Sequence, residues 1–143
     1  MIFIIVLVIL SLDRLSKFAI TSVLLPNQSV PVIKGIFNLT LVYNKGAAFG
    51  ILKGQVPLFI FASIFAAILI YYNLSKNRLD RRCNLSLALI LSGALGNLID
   101  RVFFGHVIDF LDFRIWPVFN VADSAITVGA VLLGWTLLKS KKA

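Results

Sequence analysis

The 143 residues are 59% hydrophobic and only 14% charged, against about 25% charged in a soluble domain, so a lipid bilayer is the predicted solvent. At about 20 residues per crossing, four spans take roughly 80 residues and leave no room for a separate catalytic domain. The net charge of +8 comes from 14 Lys+Arg and 6 acids, all Asp; it reads as basic loops held on one side of a membrane, and no nucleic-acid partner is predicted.

In chain order, the first predicted span covers about residues 1–25 and carries Asp13, Arg14 and Lys17 inside it. A secretory signal is not expected, because no basic run precedes the apolar stretch and no small-residue cleavage site follows. An outer segment, about residues 26–55, comes next. Within it Phe37, Leu39, Leu41 and Tyr43 alternate with Ile36, Asn38, Thr40, Val42 and Asn44, the period-two pattern of a strand in a small sheet. The glycine-rich stretch after it, residues 45–50, suits a loop or short helix. Pro57 suits the first turn of a second span at 56–72. The third span is predicted at about 85–104, a second outer segment at 105–118, and the fourth span at about 119–138.

Basic residues give the orientation. Lys76, Arg78, Arg81 and Arg82 lie between spans two and three, and Lys139, Lys141 and Lys142 follow span four, which places both loops and both termini in the cytoplasm. Cys83 falls in that basic stretch and is read as an incidental thiol in a loop. One cysteine also excludes an intrachain disulfide.

An ionisable group at the bilayer centre costs about 2.5–3.5 kcal/mol, so the polar residues of the spans need a reason. Asp13 and Lys17 share a helical face, as do Asn97 and Arg101, with Asp100 beside them; Asn120, Asp123 and Thr127 share another. The predicted topology brings these, with Asp109 of the second outer segment, to one membrane depth near the outer face. Each also has a plainer reading. Asp13 with Lys17, and Asp100 with Arg101 or Arg14, are equally ion pairs that hold helices together. Asn97 and Asn120 are equally helix-to-helix hydrogen bonds, and Asn120 equally an N-cap. Gly93, Ala94 and Gly96 read as close-packing residues, Asp112 and Arg114 as solvated.

With one histidine and no glutamate, the chain lacks a zinc-peptidase pair such as H-E-x-x-H, and no metal is predicted. No G-x-S-x-G turn is present, and Cys83 lies on the wrong side. Two aspartates remain, Asp109 and Asp123. Paired carboxylates share a proton, one acting as general base and the other as general acid, and so activate water without metal or cofactor. A proton relay in a transporter also uses intramembrane Asp, and a membrane scaffold would use the same residues for stability alone.

The motifs resemble those of lipoprotein signal peptidase, or signal peptidase II, over essentially the whole chain. They are Asp13 with Lys17; Asn44-Lys45-Gly46-Ala47-Ala48-Phe49; Gly93-Ala94-Leu95-Gly96-Asn97-Leu98-Ile99-Asp100-Arg101; Val107-Ile108-Asp109-Phe110; and Phe119-Asn120-Val121-Ala122-Asp123-Ser124. The resemblance implies a four-helix membrane bundle with an outer β-sheet cradle and a short periplasmic helix. It implies an aspartic endopeptidase of the bacterial cytoplasmic membrane that cuts prolipoproteins before their diacylglyceryl-modified cysteine. It assigns Asp109 and Asp123 as the catalytic pair, with Asp13, Lys17, Asn44, Asn97, Arg101, Asn120 and Ala122 supporting. It further implies no cofactor, a monomer working on lipidated substrates within membrane lipid, and inhibition by the cyclic peptide globomycin. The chain starts directly at the first span, without the short polar leader of many members.

Overall fold

The computed structural model describes residues 2–46, 54–76 and 80–140. Four long helices and three strands follow in the order α1 (Ile2–Val23), β1 (Ser29–Ile33), β2 (Phe37–Asn44), α2 (Val56–Ser75), α3 (Arg81–Phe104), β3 (Val107–Asp112) and α4 (Val121–Ser140). Among the described residues three helices are long and apolar enough to cross a membrane, at Val56–Ser75, Arg81–Phe104 and Val121–Lys139. The first predicted span, α1, has the length at 22 residues, but Asp13, Arg14 and Lys17 interrupt its apolar run.

Predicted helix limits move by a few residues, for local reasons. The α3 helix begins four residues earlier than the apolar run because Asp80 caps it, its side chain accepting from the Cys83 backbone N–H at 2.6 Å. Cys83 is therefore not in a loop: it is buried in the first turn of α3. At the other end Gly105 closes the helix in the left-handed conformation, φ 70°, which a residue without Cβ adopts freely.

The predicted strand is β2, at the centre of a three-stranded antiparallel sheet of order β1-β2-β3. Leu41 of β2, Ile108 and Phe110 of β3 and Ile20 of α1 form an apolar core where the sheet meets the bundle. Farther along, the pattern of a soluble protein is inverted. Phe3, Phe18, Phe61 and Phe103 stand exposed, while Asp13, Lys17, Asn97, Asp100, Asp109 and Asn120 are buried, as befits helices that face lipid and turn polar groups inward. Asp112 belongs with the buried set and not with the solvated residues it was grouped with, because the Thr40 hydroxyl donates to it at 2.7 Å and the Arg114 amide at 2.9 Å. Residues 47–50 of the glycine-rich stretch, and any short helix there, lie outside the described residues.

Candidate active site

Strand β3 and the first turn of α4 each deliver one aspartate to the sheet end of the bundle. Asp109 sits mid-strand opposite Val42 of β2. Asn44 donates its side-chain amide to Asp109 Oδ2 at 2.9 Å, and Asn120 donates to Oδ1 at 2.7 Å. Asp123 receives Asn97 Nδ2 on Oδ1 at 2.7 Å and the Asn120 backbone N–H on Oδ2 at 3.2 Å. Asn120 thus touches both carboxylates, one through its side chain and one through its backbone. Its Oδ1 accepts in return from the Asp123 N–H at 2.8 Å, so Asn120 and Asp123 form the reciprocal capping box that opens α4.

Burial pushes the Asp109 carboxyl up to about 7; the charge of Asp123 acts in the same direction, and the bonds from Asn44 and Asn120 oppose it. A carboxyl so placed exchanges a proton near neutrality. Both aspartates line a cavity of about 540 Å³, with Asn44, Asn97, Arg101, Phe59 and Trp116 among its walls. A second cavity of about 420 Å³ shares Asp123, Trp116, Phe119 and Thr127 as walls. Among the described residues no cluster of three or more His, Cys or Asp could hold a metal ion.

The description of signal peptidase (SPase) II matches residues 5–139. The chain is 48% identical over 144 residues to a lipoprotein signal peptidase of Halothermothrix orenii, covering 99% of this chain and 98% of that one. It is 52% identical over 135 residues to the lipoprotein signal peptidase of Moorella thermoacetica, covering 92% and 89%. A bacterial membrane enzyme solved by the in meso method at 2.3 Å superposes with a TM-score of 0.93 at 34% identity, covering 98% of this chain and 88% of the other. The chain belongs to the signal peptidase II family. The likeness read from its five motifs is borne out, and so is its character as a membrane enzyme.

The motif residues of this signal peptidase II chain converge in space. Lys17 Nζ donates to Asp13 Oδ2 at 2.9 Å and to Asn97 Oδ1 at 3.3 Å, and lies 2.7 Å from Asp100 Oδ2. Asp13 Oδ1 accepts the Ala122 backbone N–H at 3.1 Å. Ala122 is fully buried where α3 and α4 cross. A Cβ placed on Gly96 would stand 3.1 Å from the Ala122 methyl, and one on Gly93 would collide with the Ala122 carbonyl oxygen. Small residues are needed here because larger ones would lever α4, and Asp123 with it, away from α3. Arg101 lines the cavity with its guanidinium 5.0 Å from the centre of the Phe59 ring of α2. Among the described residues it makes no ion pair within 4 Å, so the expected pairing of Asp100 falls to Arg14 at 2.7 Å.

Sequence reasoning did not single out one contributor, Phe59, and one contact, that of Asp100. Phe59, from α2, lines the cavity and carries no polar signal. Asp100 bonds the Ile108 backbone N–H at 3.2 Å, a partner that pairwise helical spacing does not reveal.

Proposed function

We propose that this chain removes the signal peptide from prolipoproteins, cutting before the diacylglyceryl-modified cysteine, with Asp109 and Asp123 as the catalytic pair. The observation that carries the reading is that the two carboxylates, brought from β3 and α4, share Asn120 as a hydrogen-bond partner and line one cavity. The near-neutral Asp109 supports it as holder of the proton that the pair shares, with Asp123 ionised.

In the first step a water oxygen attacks the scissile carbonyl carbon. Asp123 takes a proton from the water and Asp109 gives its proton to the carbonyl oxygen, which yields a gem-diol. In the second step Asp109 takes a proton back from one diol hydroxyl while Asp123 protonates the nitrogen. The C–N bond breaks, the signal peptide leaves with a carboxyl terminus, and the cysteine gains a free amino group. The pair ends in its starting protonation state, so neither metal nor cofactor is called for. Asn44, Asn97 and Asn120 aim the carboxylates, Arg101 places positive charge on the cavity wall, and Asp13, Lys17 and Ala122 hold the framework.

A substrate made of an apolar helix with a lipidated cysteine at its outer end presents its scissile bond at the lipid interface. The basic residues at the far ends of α2 and α4 support the cytoplasmic membrane as the location, with four crossings, both termini inside and the catalytic pair near the outer face. In α1, Asp13 and Lys17 are turned inward and buried, which supports it as the fourth crossing. A monomer contains every residue invoked, and a cyclic peptide such as globomycin would act by occupying the pair.

The test is processing of a diacylglyceryl prolipoprotein by purified protein, read as a gel shift. Asp109→Asn and Asp123→Asn should each abolish cleavage with the fold intact, and globomycin should block the unsubstituted protein while chelators leave it active. Full cleavage by either variant removes the mechanism.

A further inference from the structure

Asp13, Arg14, Lys17 and Asp100 pack into a single cluster of two acids and two bases between α1 and α3. Lys17 Nζ lies 2.9 Å from Asp13 Oδ2 and 2.7 Å from Asp100 Oδ2. Arg14 spans the same two carboxylates, 2.7 Å from each, and also donates to the Gly96 carbonyl at 3.1 Å. Within the cluster the formal charges cancel. An ion cluster that merely fastened two helices would end there. Each acid instead uses an oxygen on a backbone amide of a third element: Asp13 accepts from Ala122 N–H at 3.1 Å, and Asp100 from Ile108 N–H at 3.2 Å. Ala122 immediately precedes Asp123, and Ile108 immediately precedes Asp109.

We propose that Asp13, Arg14, Lys17 and Asp100 act as one positioning unit that sets the separation of Asp109 and Asp123 by gripping the peptide N–H before each. The inference rests on the reading of Asp109 and Asp123 as the catalytic pair. Asp13 holds the α4 side, Asp100 holds the β3 side, and Lys17 and Arg14 fix the two acids relative to one another. None of the four donates to a catalytic carboxylate in this geometry. Asp13 and Asp100 act through the backbone, Lys17 reaches Asp123 also through Asn97, and a displacement of about 1 Å at reacting groups costs on the order of a hundredfold in rate.

Separation has a signature that stability lacks. Two carboxylates that share a proton titrate in two steps, and the gap between the steps shrinks as they move apart. The charged groups that act on the pair are Lys17 from α1 and Arg101 from α3, and β2 contributes the neutral Asn44; α2 contributes no charged residue along Val56–Ser75. A change that leaves net charge alone but loosens the grip should therefore narrow the pH–activity bell.

The deciding variant is Arg14→Met combined with Asp100→Leu. It removes one positive and one negative charge, leaves Asp13 paired with Lys17, and puts apolar groups where a buried ion pair stood, an exchange that is often neutral or stabilising. The full-length protein in detergent is assayed on a diacylglyceryl prolipoprotein, with its melting temperature followed in parallel. The expected result is an unchanged or higher melting temperature, kcat lower by about 10- to 100-fold, KM unchanged, and a bell narrower by about half a pH unit or more. Wild-type kcat and an unchanged bell in the folded double variant overturn the proposal. If that variant does not fold, Arg14→Lys is measured in its place, since it keeps the charge but loses the fork that spans both carboxylates; the same kcat loss and narrowing support the unit, and an unaltered bell overturns it. Asp109→Asn and Asp123→Asn run alongside separate the two levels. Activity in either brings down the catalytic reading and the unit with it, whereas inactivity in both, with a wild-type profile in the double variant, brings down the unit alone.

Discussion

Asp109 stores a cost that its neighbours only partly relieve. Its carboxyl ordinarily titrates near 3.8 and is pushed up to about 7 in the fold, so between those values the folded chain binds a proton that the unfolded chain has released. Stability is therefore lost as pH rises from about 4 to 7 and is level above that, by on the order of 4 kcal/mol from this group. Asp109→Asn abolishes the titration. The melting temperature of the variant relative to the unsubstituted protein should climb between pH 4 and 7 and then stay constant, and a flat difference across that range would contradict the buried-carboxyl account. At this scale the sequence was informative where polarity clashed with the predicted lipid environment. Asp13, Lys17, Asn97, Asn120 and Asp123 stood out against apolar runs. The partner of Asp100 did not, because Ile108 N–H is a backbone group and reaches it only once β3 has turned back against α3.

Among the elements, the α3–α4 crossing sets where Asp123 sits. Gly93 has the Ala122 carbonyl directly against it, whereas Gly134, farther along α4, has nothing within 4 Å of where a Cβ would go. Gly93→Ala should therefore cost about 1–3 kcal/mol by overpacking and lower turnover with it. Gly134→Ala should leave turnover unchanged and stabilise by about 0.5–1 kcal/mol through helix propensity. Melting in detergent beside the gel-shift assay checks both. The helices were legible from apolar runs, and so was the start of α2 at Val56, but the starts of α3 and α4 were not, since Asp80 and Asn120 extend or trim them by capping. Of the strands only β2 alternates visibly. Strand β1 is short, contains Pro31 and is exposed throughout, while β3 is buried at five of its six positions and so shows no period of two.

For the whole molecule, the proposed orientation makes a claim about sides that α1 decides. With four crossings the sheet faces out and the ends of α2 and α4 face in. In a Cys83→Ser background, Ser29→Cys on exposed β1 should react with a membrane-impermeant maleimide in intact cells, and Lys76→Cys should react only after lysis; the opposite pattern would reverse the topology. The basic loops are the sequence feature on which the proposed orientation rests, because charge sorts chains across membranes. The cavity was not legible, because Phe59, Ala62, Ser63 and Ala66 of α2 look like any lipid-facing residues until α2 is laid beside α3. That contrast bears on how the enzyme could evade a drug. On the proposed catalytic reading, Asn120 bonds both carboxylates, so a change there that loosened an inhibitor's hold would cost turnover too. Under the same proposed reading, substitutions that evade such an inhibitor should fall on the α2 wall, at Ala62, Ser63 and Ala66, outside that polar network.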